Sequence, residues 1–155
     1  MKRYALVAIV AALIAAAVLW ARDDAPAPSD PTMSGNWGVV VALRNGQRYE
    51  DGEIANWVWK FDGHGGFTWE GNPPDLRADF GPALCACDEG TEPKWIDFKH
   101  LTGPHENRIT RGIYALTGPE MLVNVPLTPD GERPGGFGAD WFTGNLTVTL
   151  HPIRR

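Results

Sequence analysis

Cys85-Ala86-Cys87 is where this chain sets two strong metal or redox ligands side by side. Two thiolates at that spacing supply half of a tetrahedral metal site, and His64, His100 and His105 are the side chains that could complete it. No histidine stands at a ligand spacing from the pair, and no second C-x-C or C-x-x-C is present, so neither a metal nor a cofactor is assigned. In an oxidising compartment two cysteines commonly form a disulfide, yet residues i and i+2 of a strand sit near the distance limit for one. A Cys85–Cys87 disulfide and a pair of free thiols both stay open.

Catalytic chemistry finds less. Asp75, Asp79, Asp88, Glu89 and Glu92 cluster, but in a loop, where carboxylates are ordinarily just solvated. The serines, Ser29 and Ser34, lie in a proline-rich stretch or at its end, which removes a serine nucleophile from the body of the chain. The turns Gly63-His64-Gly65-Gly66 and Gly135-Gly136-Phe137-Gly138 lack the strand-to-helix context of a phosphate loop. Asn145-Leu146-Thr147 matches a glycosylation sequon but opens a strand, and is read as chance. No catalytic residue is assigned, and the chain is not read as an enzyme.

Binding chemistry is richer. Read with a period of two, Trp57, Trp59 and Phe61 share one face of a strand, with Val58 and Lys60 opposite. Asp62-Gly63-His64-Gly65-Gly66 supplies the positive-φ positions a tight hairpin needs. Beyond it Phe67 and Trp69 return to the same face, opposite Thr68 and Glu70. Five aromatics on one side of a hairpin form either a wall for a flat apolar ligand or a core. Each ring buries about 150–250 Å², enough for five to fill much of a small barrel. With Trp37, Phe98 and Tyr114 they make up the candidate ligand-contacting set, and the Tyr114 hydroxyl is its polar handle.

These residues need a scaffold, and the spacing of turns supplies one. Trp37, Val39, Val41 and Leu43 read as one face of a strand closed by Arg44-Asn45-Gly46-Gln47. Residues 49–55 are acidic and irregular, with room for one helical turn. Pro82 to Cys87 is at best a short strand, and Asp75 to Gly81 is ambiguous. In the strand Lys94–Lys99, Ile96 and Phe98 stand opposite Trp95, Asp97 and Lys99. Further strands fall at Thr110–Leu116, Met121–Val125 and Leu146–Leu150, and Thr128–Gly138 is a long loop. About eight strands between turn signals, without an internal repeat, indicate an all-β domain, a closed antiparallel barrel or a sandwich. The open end of that barrel is expected near the Thr128–Gly138 loop.

Ahead of it, Lys2 and Arg3 precede an apolar run from Tyr4 to Ala21, the form of an export signal. The run is long for a signal core and short for a spanning helix. Residues 1–22 are therefore a signal peptide or an N-terminal membrane anchor, and a hydrophobic helix is expected there. Both put the remainder outside the cytoplasm, since the two cations hold the N-terminus inside. Residues 23–34, with Pro26, Pro28 and Pro31, read as an extended tether, and 35–155 as the barrel domain. The formal net charge of −5 leaves no basic patch for nucleic acid. The membrane is contacted only through the leader, if it is retained.

Five segments in order resemble one family. Gly35-Asn36-Trp37 looks like a G-x-W strand opening, and Trp59-Lys60-Phe61-Asp62-Gly63 like the next strand and its turn. Pro93-Lys94-Trp95-Ile96-Asp97-Phe98 resembles a K-P-x-x-I-D segment. Arg111-Gly112-Ile113-Tyr114-Ala115-Leu116 resembles a G-I-Y-x-L strand, and Glu132-Arg133-Pro134 an E-R-P loop. Together they are similar to the lipocalin-like domain family abundant in planctomycete bacteria, typically secreted and of unknown function. The chain departs from that pattern in its longer 72–93 link and in the His151-Pro152 that intervenes before Arg154. The resemblance implies an up-and-down lipocalin-like barrel and no activity. Two functions follow as expectations: a module binding one small apolar ligand, or an envelope-tethered structural or protein-interaction domain whose barrel is filled.

Overall fold

A computed structural model of the chain describes residues 31–71, 76, 80–138 and 144–154. The expected leader helix, the 1–22 assignment and residues 23–30 of the tether lie outside these described residues. A 3-10 turn, Pro31–Met33, leads into β1 (Gly35–Arg44), β2 (Gln47–Arg48), the short helix α1 (Asp51–Ile54), β3 (Val58–Phe61) and β4 (Gly66–Glu70). Then come β5 (Ala83–Asp88), β6 (Lys94–His100), β7 (Ile109–Thr117), β8 (Glu120–Pro126) and β9 (Asn145–Pro152). All pairings are antiparallel, and β1 pairs with both β3 and β9, so β1 and β3–β9 close into an eight-stranded barrel. The two-residue β2 is a flap on the end of β1. Closure leaves this sheet without the exposed edges that invite aggregation.

The aromatic hairpin forms as its alternation dictates. Trp59 pairs with Trp69 and Phe61 with Phe67 across β3 and β4, and all four side chains are buried. Trp57 is buried just ahead of β3. In the turn, Gly63 and Gly65 adopt φ of +80° and +92°, conformations that a side chain would strain. The Asp62 carboxylate holds the turn by accepting hydrogen bonds from the backbone N–H of His64 and Gly66. Those two bonds hold its pKa below the usual carboxylate value.

β1 departs from strict alternation. Val39 pairs with Leu150 and Val41 with Thr149, so Val40 is an extra residue, a bulge in the β1–β9 ladder. Beyond it Ala42, not Val41 or Leu43, is the fully buried position. The sequence expectation that Trp37, Val39, Val41 and Leu43 share a face holds only up to the bulge. Val39-Val40-Val41 is apolar throughout and carries no period to reveal the slip.

The inward face of the far side is aliphatic: Met121, Val123 and Val125 on β8 stand beside Leu146, Val148 and Leu150 on β9, each buried. One end of the barrel is plugged by Met33, 1% exposed, although composition places it in the tether. Its carbonyl accepts the Trp37 indole N–H at 2.8 Å. At the other end lie Ile54 of α1, Tyr49 against Trp57, and Phe80 against Trp69. Leu76 is also buried, and its carbonyl accepts the Phe80 N–H at 2.8 Å.

The loop after β8 lies against the outside of the wall rather than over a mouth. Arg133 stands 4.3 Å over the Trp95 ring, pairs with both oxygens of Asp97 (2.7 and 3.1 Å) and donates to the Gly112 carbonyl. The Asn124 side chain, on the outward face of β8, donates to the Gly136 carbonyl at 3.1 Å. Trp95, Asp97, Ile113 and Asn124 are outward positions of β6, β7 and β8, and Ile113 is fully buried. The expectation that this loop marks the open end is therefore corrected: it straps three strands from outside.

Candidate functional site

All eight residues of the candidate set are buried. Their exposure runs from zero at Tyr114 to 8% at Trp69. Six of them, all but Trp37 and Tyr114, form a continuous aromatic network. Trp59 is its hub, with ring centroids 5.2 Å from Phe67, 5.4 Å from Trp69, 6.0 Å from Phe98 and 6.4 Å from Phe61. Phe67 meets Phe98 at 4.7 Å, and Trp57 meets Trp69 edge-on at 5.3 Å. Such edge-on and tilted pairs are the favoured geometries of quadrupolar rings. Trp37 and Tyr114 stand on other strands. Trp37 is tied to Met33, and the Lys94 ammonium lies 5.7 Å from the Tyr114 ring centre.

Within this network two polar atoms stand out. The indole N–H groups of Trp59 and Trp69 are both enclosed, and neither has a hydrogen-bond partner among the described residues. A buried donor left unpaired costs about 1–3 kcal/mol. Aromatic burial is what the sequence pattern led one to expect. Nothing in that pattern distinguishes a satisfied indole, such as Trp37, from an unsatisfied one, such as Trp59.

The wall is also thin at one seam. β4 and β5 share only two paired positions, Gly66 with Leu84 and Phe67 with Ala83. Across the seam lies an open recess of about 420 Å³. Phe61, Phe67 and Ala83 line it together with Pro82, the 44%-exposed Leu101 and the polar Asn36, Lys60, Asp62 and Thr68. Its size falls within the range of small-molecule sites, and its mixture of apolar surface with a few polar groups is theirs too. Two of its lining rings, Phe61 and Phe67, are the ones that touch Trp59.

The other sequence candidates are dispersed. Cys85 and Cys87 both point inward on β5 and are reduced, with no disulfide between them. A hydrogen bond to Cys87, and then burial, push the Cys85 thiol pKa far above its ordinary range. None of the three histidines joins them. His64 is in the β3–β4 turn; His100, at the far end of β6, is bonded to Thr110 at 2.8 Å; His105 lies edge-on to His100. Among the described residues, no three His, Cys, Asp or Glu side chains converge as metal ligands. Asp88, Glu89 and Glu92 are solvent-exposed, while Asp75 and Asp79 lie outside the described residues. The same holds for the leader; among the described residues, no helix is long and apolar enough to cross a membrane.

Composition and periodicity passed over Met33, Leu76 and Phe80. Each is a lone apolar residue among prolines, glycines or acids, with no partner at period two to mark it. Comparison with known proteins returns no match by family model, by curated sequence or by solved structure.

Proposed function

We propose that this chain is an extracytoplasmic, lipocalin-like module that binds one small, flat, apolar molecule carrying a hydrogen-bond acceptor. The observation that carries the reading is the pair of enclosed, unpartnered indole N–H groups of Trp59 and Trp69. A carbonyl or ether oxygen placed between the rings would satisfy them, and the rings would cover its apolar body. The recess at the β4–β5 seam is the route by which such a molecule reaches Phe61 and Phe67. The order of the five sequence segments and the closed meander of eight strands support the lipocalin-like assignment. Lys2, Arg3 and the apolar run behind them support the extracytoplasmic address. No catalytic role, cofactor or nucleic-acid partner is part of the proposal.

A second reading has its own support. The rings already touch one another at 4.7–6.4 Å, as in a filled core. On that reading the chain is a structural or interaction domain of the envelope, and its interior holds nothing.

Titration with prodan, a flat apolar fluorophore with one ketone oxygen, separates the two. A binding module quenches tryptophan emission saturably at one probe per chain, and binds the ketone-free parent dimethylaminonaphthalene more weakly. A filled barrel shows no saturable quenching by either.

A further inference from the structure

Three sulfur atoms meet at the end of the barrel that Met33 plugs. Cys85 and Cys87 are alternate residues of β5, so both side chains fall on its inner face. The Cys85 thiol donates a hydrogen bond to the Cys87 sulfur. From the N-terminal turn Met33 brings its thioether to 3.6 Å from the Cys87 sulfur. The three residues come from segments more than fifty positions apart in sequence, as the 54-residue separation of Met33 and Cys87 shows. Only the fold brings them together.

We propose that Met33, Cys85 and Cys87 form a binding site for a single copper(I) ion. Soft thiolate and thioether donors select copper(I) over the harder divalent ions. Zinc is disfavoured, since it takes four ligands from thiolate, imidazole and carboxylate, and no third group of those kinds joins the pair among the described residues. The Met33–Cys87 separation fits one edge of a trigonal site. With metal–sulfur bonds of about 2.3 Å, three sulfurs around one centre lie roughly 4 Å apart, close to the 3.6 Å between Met33 and Cys87. Burial fits as well: Met33 is 1% exposed, Cys85 0% and Cys87 8%.

The proton balance is simple. Two neutral thiols bind Cu⁺ as thiolates and release two protons, while Met33 donates a lone pair and loses nothing. No electron is transferred. In the metal-free chain the Cys85 thiol keeps its proton, held by its hydrogen bond to Cys87 and by burial, while the Cys87 thiol donates to the Met33 sulfur. A bound cation reverses that preference. The site uses residues separate from the Trp59–Trp69 pair, so it stands or falls independently of the ligand reading.

The test is an anaerobic titration of the reduced full-length chain with copper(I) held by bicinchoninate. One copper per chain is expected to leave the chelator, and X-ray absorption should show three sulfur scatterers. Met33→Leu preserves bulk and burial, and should weaken binding by more than the roughly 10–100-fold that loss of a merely supporting group costs, leaving two sulfurs. Cys85→Ser and Cys87→Ser should each abolish it. Should the serine variants fail to fold, copper-loaded wild type should still resist alkylation by iodoacetamide under mild denaturation where the metal-free chain does not. Copper left with the chelator, equal affinity in Met33→Leu, or unprotected thiols in the loaded chain would each overturn the site.

Discussion

Trp59 and Trp37 are chemically the same residue in different circumstances. The Trp37 indole gives its proton to the Met33 carbonyl, and that of Trp59 has no acceptor among the described residues. The difference makes Trp59→Phe a cleaner probe than Trp59→Ala, because truncation would open a new cavity at the hub of the ring network. Trp59→Phe is expected to weaken prodan binding about fivefold, the worth of one neutral hydrogen bond of about 1 kcal/mol. Trp95→Phe should leave it unchanged, since Trp95 is 41% exposed and lies outside under Arg133. Asp130 illustrates a residue-scale effect of another kind. It accepts from the Arg108 guanidinium at 2.6 Å and from the Ile109 N–H, and these lower its pKa from the ordinary 3.8. A lowered folded-state pKa means the unfolded chain takes up the proton first as pH falls. The stabilisation is thus complete above about pH 5 and disappears in acid. Denaturant midpoints of wild type and Asp130→Asn should differ at pH 7 and converge as pH is taken below 3.8.

At the scale of elements, the strap and the crowded strand β7 decide how well the barrel holds its shape. Arg133 is mostly buried, and one side chain serves three partners: a ring, a carboxylate and a carbonyl. Arg133→Ala should cost about 2–3 kcal/mol in chemical denaturation, from the charged hydrogen bonds and the cation–π contact together. Arg133→Lys should recover only part of it, because one ammonium cannot serve Asp97, the Gly112 carbonyl and the Trp95 ring together as the planar guanidinium does. At Gly112 an added Cβ would lie 2.5 Å from Val125 Cγ1 and 2.9 Å from the Asn124 carbonyl oxygen. Gly112→Ala is therefore expected to destabilise by about 1–3 kcal/mol through overpacking, measurable as a lower denaturant midpoint. The hairpin of β3 and β4 was legible residue by residue, because its aromatics alternate cleanly with polar partners. The bulge at Val40 was not, since three valines in a row hide a one-residue slip. The strap was legible as a loop but not as a cover: glycine and proline mark where a chain turns, not which face of a sheet it crosses. The alternation in Lys94–Lys99 did show that Trp95 and Asp97 point outward, and these are the residues Arg133 grips.

On the scale of the whole molecule, closure joins two unlike halves. One wall is aromatic, carried by β3, β4 and Phe98 of β6, and the other aliphatic, β8 and β9, with Met33 at one end and Ile54 and Phe80 at the other. Turn spacing foresaw an all-β barrel or sandwich, and the closed meander, in which β1 meets β9, was expected from the family resemblance. The sulfur cluster and the unpaired indoles could not be foreseen, because both depend on which side chains the closure brings together. The most direct measurement is a proton–nitrogen correlation spectrum of the indole N–H groups of the nitrogen-15-labelled chain during prodan addition. Trp59 and Trp69, assigned from their Phe variants, are expected to move downfield together and saturate at one equivalent as they gain an acceptor, while Trp37 and Trp95 stay in place. Signals of Trp59 and Trp69 that never move, or a shift confined to Trp95, would contradict a ligand held inside the barrel.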